Sequence, residues 1–314
     1  MRIRVSSSSP FTTASRMAVP ILLFALVFAA RSSGAQNLGY EGPTGVFVTP
    51  LAATAASPAH GAGHPVIACH VLAGGPVIGT FTTVSFTEGF GKYFEAGYTR
   101  EDHAAGDTAG LSSLWTDGLN TFHAKAVVVP ENAGKTKWVP GIAIGGIART
   151  NDSNVGDGTN GQTKTNGDIY LVATKIVTQA KKVPVVLNAG VRGTNASLWG
   201  LGGNAPGLEA RAFGALGFVI TGPGKSTIIL ASEAAQQPQK IKFTSSSGST
   251  SSALDIPTSL VYAIRVVPSP KHKLNLDAGI LQAAGVVATN PGSPVSYVNL
   301  KARARFAFGI SYGF

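Results

Sequence analysis

The sequence predicts an all-β fold: a transmembrane, antiparallel, up-and-down β-barrel of about twelve strands. Three observations predict it. The last eighteen residues, Tyr297 to Phe314, alternate without a break, with Val298, Leu300, Ala302, Ala304, Phe306, Phe308, Ile310, Tyr312 and Phe314 apolar and the intervening positions polar or small. Strands in soluble sheets are usually about 5–6 residues long, whereas a membrane-crossing strand needs about 9–11 tilted residues with lipid on one face and lumen on the other. The chain carries 39 glycines and only 13% charged residues, a composition that suits a wall whose outward positions cannot be charged cheaply. Finally, period-2 segments recur along the chain, separated alternately by short and long connections.

The ends of the chain frame this barrel. Met1 to Ala35 holds Arg2, Arg4 and Arg16 with no acidic residue, then the apolar run Ala18 to Ala30, then Ser33-Gly34-Ala35 before Gln36. That order reads as an export signal cleaved near Ala35, and its apolar run is short for a membrane-spanning helix. Cleavage leaves 279 residues, and loss of four arginines, Arg31 being the fourth, lowers the net charge from +10 to +6. At the other end the chain stops on an aromatic. Phe306, Phe308, Ile310, Tyr312 and Phe314 resemble the C-terminal signal of bacterial outer-membrane β-barrels, in which a final strand with alternating aromatics is read by the barrel assembly machinery. That resemblance implies a Gram-negative-type envelope, an outer-membrane location, and lipid and the assembly machinery as partners.

Candidate strands fall near residues 66–73, 80–87, 92–100, 119–129, 138–149, 168–178, 184–194, 210–221, 226–235, 256–267, 273–284 and 297–314. The first two are weak, so ten and fourteen strands stay open. Short turns at 88–91, 130–137, 179–183, 222–225 and 268–272 alternate with longer connections, as in barrels with short periplasmic turns and long outer loops. The domain plan is therefore a signal peptide over 1–35, an N-terminal periplasmic or luminal segment over 36–64 and the barrel over 65–314.

Within 36–64, Gly42-Pro43-Thr44-Gly45-Val46-Phe47-Val48-Thr49-Pro50 is the most distinctive stretch. It resembles the N-terminal Gly-x-x-Gly-apolar-x-x-Thr-Pro segment of YjbH-like outer-membrane proteins linked to exopolysaccharide export, and of related barrel families of unknown function. Physically, Pro43 and Pro50 bracket a short extended piece that either plugs the lumen or lines its mouth; a linker or an extra edge strand is the alternative.

Assigning faces by which alternate set is more apolar places Lys125, Lys175, Arg192, Arg211, Arg265, Lys301, Arg303 and Arg305 in the lumen, against Glu95, Glu233 and Asp277. Rings of basic residues favour anions. The expectation is an outer-membrane channel or export-associated barrel with a basic lumen, favouring anionic solutes or an anionic polymer such as a polysaccharide. Alternatives are a non-conducting structural or surface-binding barrel acting through its outer loops and, as a minor one, a membrane-embedded hydrolase.

Other chemistry finds little support. Gly222-Pro223-Gly224-Lys225-Ser226-Thr227 lacks the first glycine of a phosphate loop, Val219 standing there, and runs on into a strand. His60 and His64 are four apart, but two glycines and Pro65 argue against the helix that would make them a metal pair. Asn151 to Gly161 lacks the closing Glu of a calcium loop, Gln162 standing twelfth. No Gly-x-Ser-x-Gly elbow occurs, and of six histidines, His70 and His123 fall on lumen-facing positions of strands. The +6 charge is spread over alternating strands, which disfavours nucleic acid. Cys69, the single cysteine, reads as a small apolar strand residue. No catalytic residue, metal site or cofactor is therefore expected.

Overall fold

The computed structural model describes residues 37–55, 60–107, 115–152, 164–178, 183–238, 258–269, 273–282, 286–290, 296–299 and 304–314. Twelve strands close a barrel. They are β1 (Val66–Gly74), β2 (Gly79–Phe90), β3 (Phe94–Ala105), β4 (Gly118–Val129), β5 (Gly141–Asn151), β6 (Thr165–Val177), β7 (Val185–Ala196), β8 (Asn204–Thr221), β9 (Thr227–Ala235), β10 (Ser259–Val267), β11 (Leu274–Gln282) and, last in the chain, β14 (Arg305–Gly313). Each pairs antiparallel with its sequence neighbour. β14 pairs with β11 on one side and with β1 on the other, in a register running from Val66↔Gly313 to Ala73↔Phe306. This last pairing removes both sheet edges, so every strand satisfies its backbone without water.

The C-terminal run departs from the sequence expectation. Alternation continues unbroken from 297 to 314, yet Ser296–Asn299 forms β13 and pairs with β12 (Val286–Asn290) in a separate two-stranded sheet. Alternation reports that a segment is extended, not which sheet it joins. Among the described residues of this run, Arg305–Gly313 belongs to the barrel, and Lys301 and Arg303 lie outside the described residues. The expected signal peptide lies outside them as well, and so does the connection 241–254, whose run Ser245 to Ser252 is rich in serine.

Side chains alternate along every barrel strand. Outward positions include Phe86, Phe122, Ile169, Val191, Tyr262, Phe306 and Phe308, each about half exposed. So much solvent-accessible apolar side chain on a continuous wall marks a surface built to meet an apolar phase. Tyr93 and Trp138 stand exposed at the short-turn end, where aromatic residues form a girdle in such barrels. The first and last residues of the barrel, Val66 and Gly313, and the strand ends joined by the short connections share this end; the strand ends joined by the longer connections share the other.

Inward positions make a filled core instead of an open tube. A continuous apolar cluster joins wall residues Phe81, Ile147, Tyr170, Val172, Phe213 and Val261 to Tyr40 and Phe47 of the N-terminal segment and to Trp115, Leu198, Trp199 and Leu201 of the loops. Two insertions therefore fill this barrel, one entering from each end.

Candidate functional site

The first insertion is residues 37–55. It enters at the short-turn end, where the Asn275 side-chain amide donates to Asn37 Oδ1 (3.0 Å), and doubles back within the lumen. Its own backbone bonds, Tyr40 N to Phe47 O (2.6 Å), Gly45 N to Asn37 O (2.8 Å) and Leu51 N to Thr44 O (3.0 Å), fold it into a compact plug. Two glycines make the turns possible. Gly42 has φ +102°, and a β-carbon there would meet Thr99 Oγ1 at 2.5 Å and His123 Cε1 at 2.9 Å; at Gly45 it would meet the Thr49 carbonyl at 2.6 Å. The segment then returns to the short-turn rim, where Gly63 N donates to Gly89 O and Gly91 N to Gly61 O, each at 2.8 Å.

Charged wall residues hold the plug by its backbone. On the β3–β4 wall, Lys125 Nζ pairs with Glu95 Oε1 (2.9 Å) and donates to Thr44 O (2.9 Å), while Glu95 accepts from Thr44 N (3.0 Å), Thr44 Oγ1 (2.7 Å) and Ala55 N (2.7 Å). On the β10–β11 wall, Arg265 Nε and Nη2 pair with Asp277 (2.6 and 3.1 Å), and its guanidinium also donates to Gly45 O (3.1 Å), Leu38 O (3.3 Å) and Val46 O (2.7 Å). On β9, Glu233 accepts from Phe47 N (2.8 Å), Val48 N (3.0 Å), Thr49 N (2.7 Å) and Thr49 Oγ1 (2.6 Å). Thr174, Asn188, Thr87 and Thr99 add one bond each, to Ala52 N, Pro50 O, Gly42 O and Glu41 O. Hydrogen bonds to charged groups are worth about 1.5–3 kcal/mol each, so a plug with this many contacts does not leave by thermal fluctuation alone.

Deeper in the lumen, Arg149 pairs with Glu41 of the plug (2.6 Å) and with Asp168 (2.7 Å), and Arg192 lies 3.9 Å from Asp168. Tyr40 Oη donates to Glu101 (2.8 Å). A cavity of about 10 Å³ beside Asp168, Tyr170 and Arg192 has room for about one water, not for a solute.

The second insertion closes the long-loop end. Ser197–Gly200 makes a short turn with Leu198 and Trp199 at φ +48° and +57°, and all four residues are buried. Thr116 N donates to Leu201 O (3.0 Å) and Leu198 N to Gln237 Oε1 (2.9 Å). Gly200 rests against Arg149, to whose Cδ an added β-carbon would come within 2.8 Å. The outer cap thus stands on the same arginine that grips the plug.

Of the expected lumen bases, Lys125, Arg192, Arg211, Arg265 and Arg305 lie on inward positions. Lys175 does not. In β6 the inward set is Asn166, Asp168, Tyr170, Val172 and Thr174, and Lys175 pairs across the sheet with outward Leu187. Its ammonium meets Glu131 (2.9 Å) and Asn132 (2.6 Å) of the neighbouring short turn, so the strand end, flanked by Ile176 and Val177, misleads an assignment based on apolarity. Sequence reasoning also misses Arg149, Glu101, Asp168 and the plug's Glu41. In β5 the inward set runs Gly141, Ala143, Gly145 and Ile147, with no polar residue before Arg149, because this lumen has a hydrophobic core. Counting Lys273 and Glu209, the described interior sets Lys125, Arg149, Arg192, Arg211, Arg265, Lys273 and Arg305 against Glu41, Glu95, Glu101, Asp168, Glu209, Glu233 and Asp277. The excess of base expected from three acids shrinks to near balance.

His70 and His123 are both inward and buried. His70 packs on Phe47 (5.6 Å between rings) with Asp277 3.9 Å away, and His123 Nε2 lies 3.3 Å from Thr87 Oγ1. His103, which lies beyond the expected strand over 92–100, belongs to β3, stacks on Phe81 (4.1 Å) and contacts Ile78 O (2.7 Å). These histidines serve the packing of plug and wall.

No family profile and no curated protein matches the chain. Among solved structures it is similar to a KdgM porin, at 12% identity and a TM-score of 0.43 over 79% of this chain and 99% of that one. It is also similar to the β domain of the Bordetella autotransporter BrkA, at 13% identity and a TM-score of 0.37 over 82% and 100%. At such identities and scores the likeness adds nothing to the closed topology itself.

Proposed function

We propose that this chain is an outer-membrane, channel-type barrel held closed at rest by its own N-terminal plug. The observation that carries the reading is the plug's re-entrant path: both of its ends lie at the short-turn mouth, so it can withdraw without threading the barrel. The apolar outer wall supports the membrane location, and the shortness of the turns at that mouth supports a periplasmic orientation for it. Withdrawal would strip Arg149, on which the outer cap rests, of its Glu41 partner and so release the cap as well; the lumen then exposed is lined by near-balanced charge, because the plug takes only Glu41 with it. The anion preference suggested by the bases is accordingly weak in this reading, and the solute is a small polar molecule of either sign or a thin polymer. A second reading, a permanently sealed barrel acting through its outer loops, draws on the buried Trp199 cap.

Planar-bilayer recording separates the two. Full-length protein should pass no stepwise current, and a variant lacking residues 37–55, checked for assembly by its heat-modifiable migration, should pass discrete steps with an anion/cation permeability ratio near one. An assembled plugless barrel without current would leave the sealed reading ahead.

A further inference from the structure

The three charged anchors of the plug differ in one respect. Glu95 has Lys125 beside it and Asp277 has Arg265, each pair in direct contact. Glu233 is 3% exposed and makes no ion pair with a basic side chain among the described residues. Its cross-strand neighbours are Ala215 on β8 and Val261 on β10. What meets its charge is the plug: three successive backbone N–H groups, of Phe47, Val48 and Thr49, and the Thr49 hydroxyl, all within 3.0 Å of a carboxylate oxygen. Successive N–H groups converging on one anion form a backbone nest, a concavity that carries positive partial charge without any cationic side chain. Val46 N donating to Thr49 O (3.0 Å) closes the turn that aims those groups.

We propose that Phe47-Val48-Thr49 is a carboxylate-binding nest and that Glu233 is its resident ligand, so that the plug is seated on the β9 wall by anion recognition instead of by a salt bridge. The ligand class is set by the geometry. Two oxygens share the donors, Oε1 taking Phe47 N and Oε2 taking Val48 N, Thr49 N and Thr49 Oγ1, which suits a planar carboxylate and not a neutral amide or a cation. Seating is then reciprocal, since the plug supplies the donors that replace water at the buried carboxylate while the carboxylate fixes the turn that aims them. This inference rests on the reading of residues 37–55 as a plug, and it concerns how that plug is recognised.

The test is amide hydrogen exchange on the full chain assembled in lipid, read at Phe47, Val48 and Thr49. Glu233→Ala should speed exchange there about tenfold or more, because several charge-assisted bonds go at once. Added formate, a free carboxylate able to occupy the vacated position, should slow it again, whereas chloride at equal ionic strength should not. Glu233→Gln, which keeps the shape and one acceptor, should fall between, and it serves as the readout if the alanine variant fails to assemble. Unchanged exchange in Glu233→Ala, or faster exchange that formate leaves untouched while Gln behaves as Ala does, would overturn the nest. A plugless barrel that carries no current would remove the closed-channel reading while leaving this exchange result standing.

Discussion

Arg265→Met removes the most widely shared cation of the plug wall. In the wild-type chain its guanidinium satisfies Asp277 through two bonds and three plug carbonyls, those of Leu38, Gly45 and Val46. Breaking a buried pair by removing one partner costs about 3–5 kcal/mol, chiefly because the other charge is stranded. Asp277 is 5% exposed, and the nearest other base is His70 at 3.9 Å. The loss should therefore fall within that range. The double variant Arg265→Met, Asp277→Leu strands no charge and leaves only the three carbonyls without donors. Because those three bonds had a charged donor, each is worth more than the roughly 0.5–1.5 kcal/mol of a neutral bond, and the double variant should recover part of the loss and stay below wild type. Urea unfolding of the barrel in lipid vesicles, followed by tryptophan fluorescence, measures both. A single variant within about 1 kcal/mol of wild type, or a double variant no better than the single, would refute the claim that this charge is buried and pinned between plug and wall.

Other consequences are smaller in scope. Ile264→Arg puts a cation on the lipid-facing side of β10, and such a substitution near mid-membrane costs about 2–4 kcal/mol; assembly yield should drop, and full yield would show that this wall does not face lipid. Gly42→Ala should raise hydrogen exchange across the plug while the barrel still assembles, since the added methyl meets Thr99 and His123 at a residue of positive φ; wild-type exchange would contradict the seated geometry. Deleting Phe314, whose N–H donates to Pro65 O (3.2 Å) and whose ring packs edge-on against Tyr312 (5.4 Å), should lower assembled protein more than an equal shortening of the 241–254 loop. Equal effects would remove the signal role from Phe306, Phe308, Ile310, Tyr312 and Phe314.

The wall was legible because its physics is periodic. Lipid outside and packed lumen inside impose a period of two, and short turns rich in Gly and Pro, such as Gly222-Pro223-Gly224, separate the strands cleanly. What the period cannot convey is partnership. It runs through Ser296–Asn299 as readily as through β14, so a hairpin reads as an extension of the last strand. It cannot tell inside from outside where both faces are apolar, which hides Arg149 in β5 and misplaces Lys175 at the end of β6. Nor can it show that Arg149 meets Glu41, 108 residues away, because that contact exists only once the plug is folded back. The plug itself left a local trace in Gly42, Pro43, Gly45 and Pro50, and its wall anchors Glu95, Lys125, Glu233 and Arg265 stood among the expected lumen residues, but nothing in the period joins the two sets.

Hydrogen exchange of the full chain in lipid, resolved at single amides over residues 37–55, tests the plug most directly. The seated geometry predicts that the amides of Thr44, Phe47, Val48, Thr49, Ala52 and Ala55, each bonded to a buried wall side chain, exchange as slowly as amides in the middle of the barrel strands. Exchange of the whole segment at the rate of an unstructured peptide would contradict it.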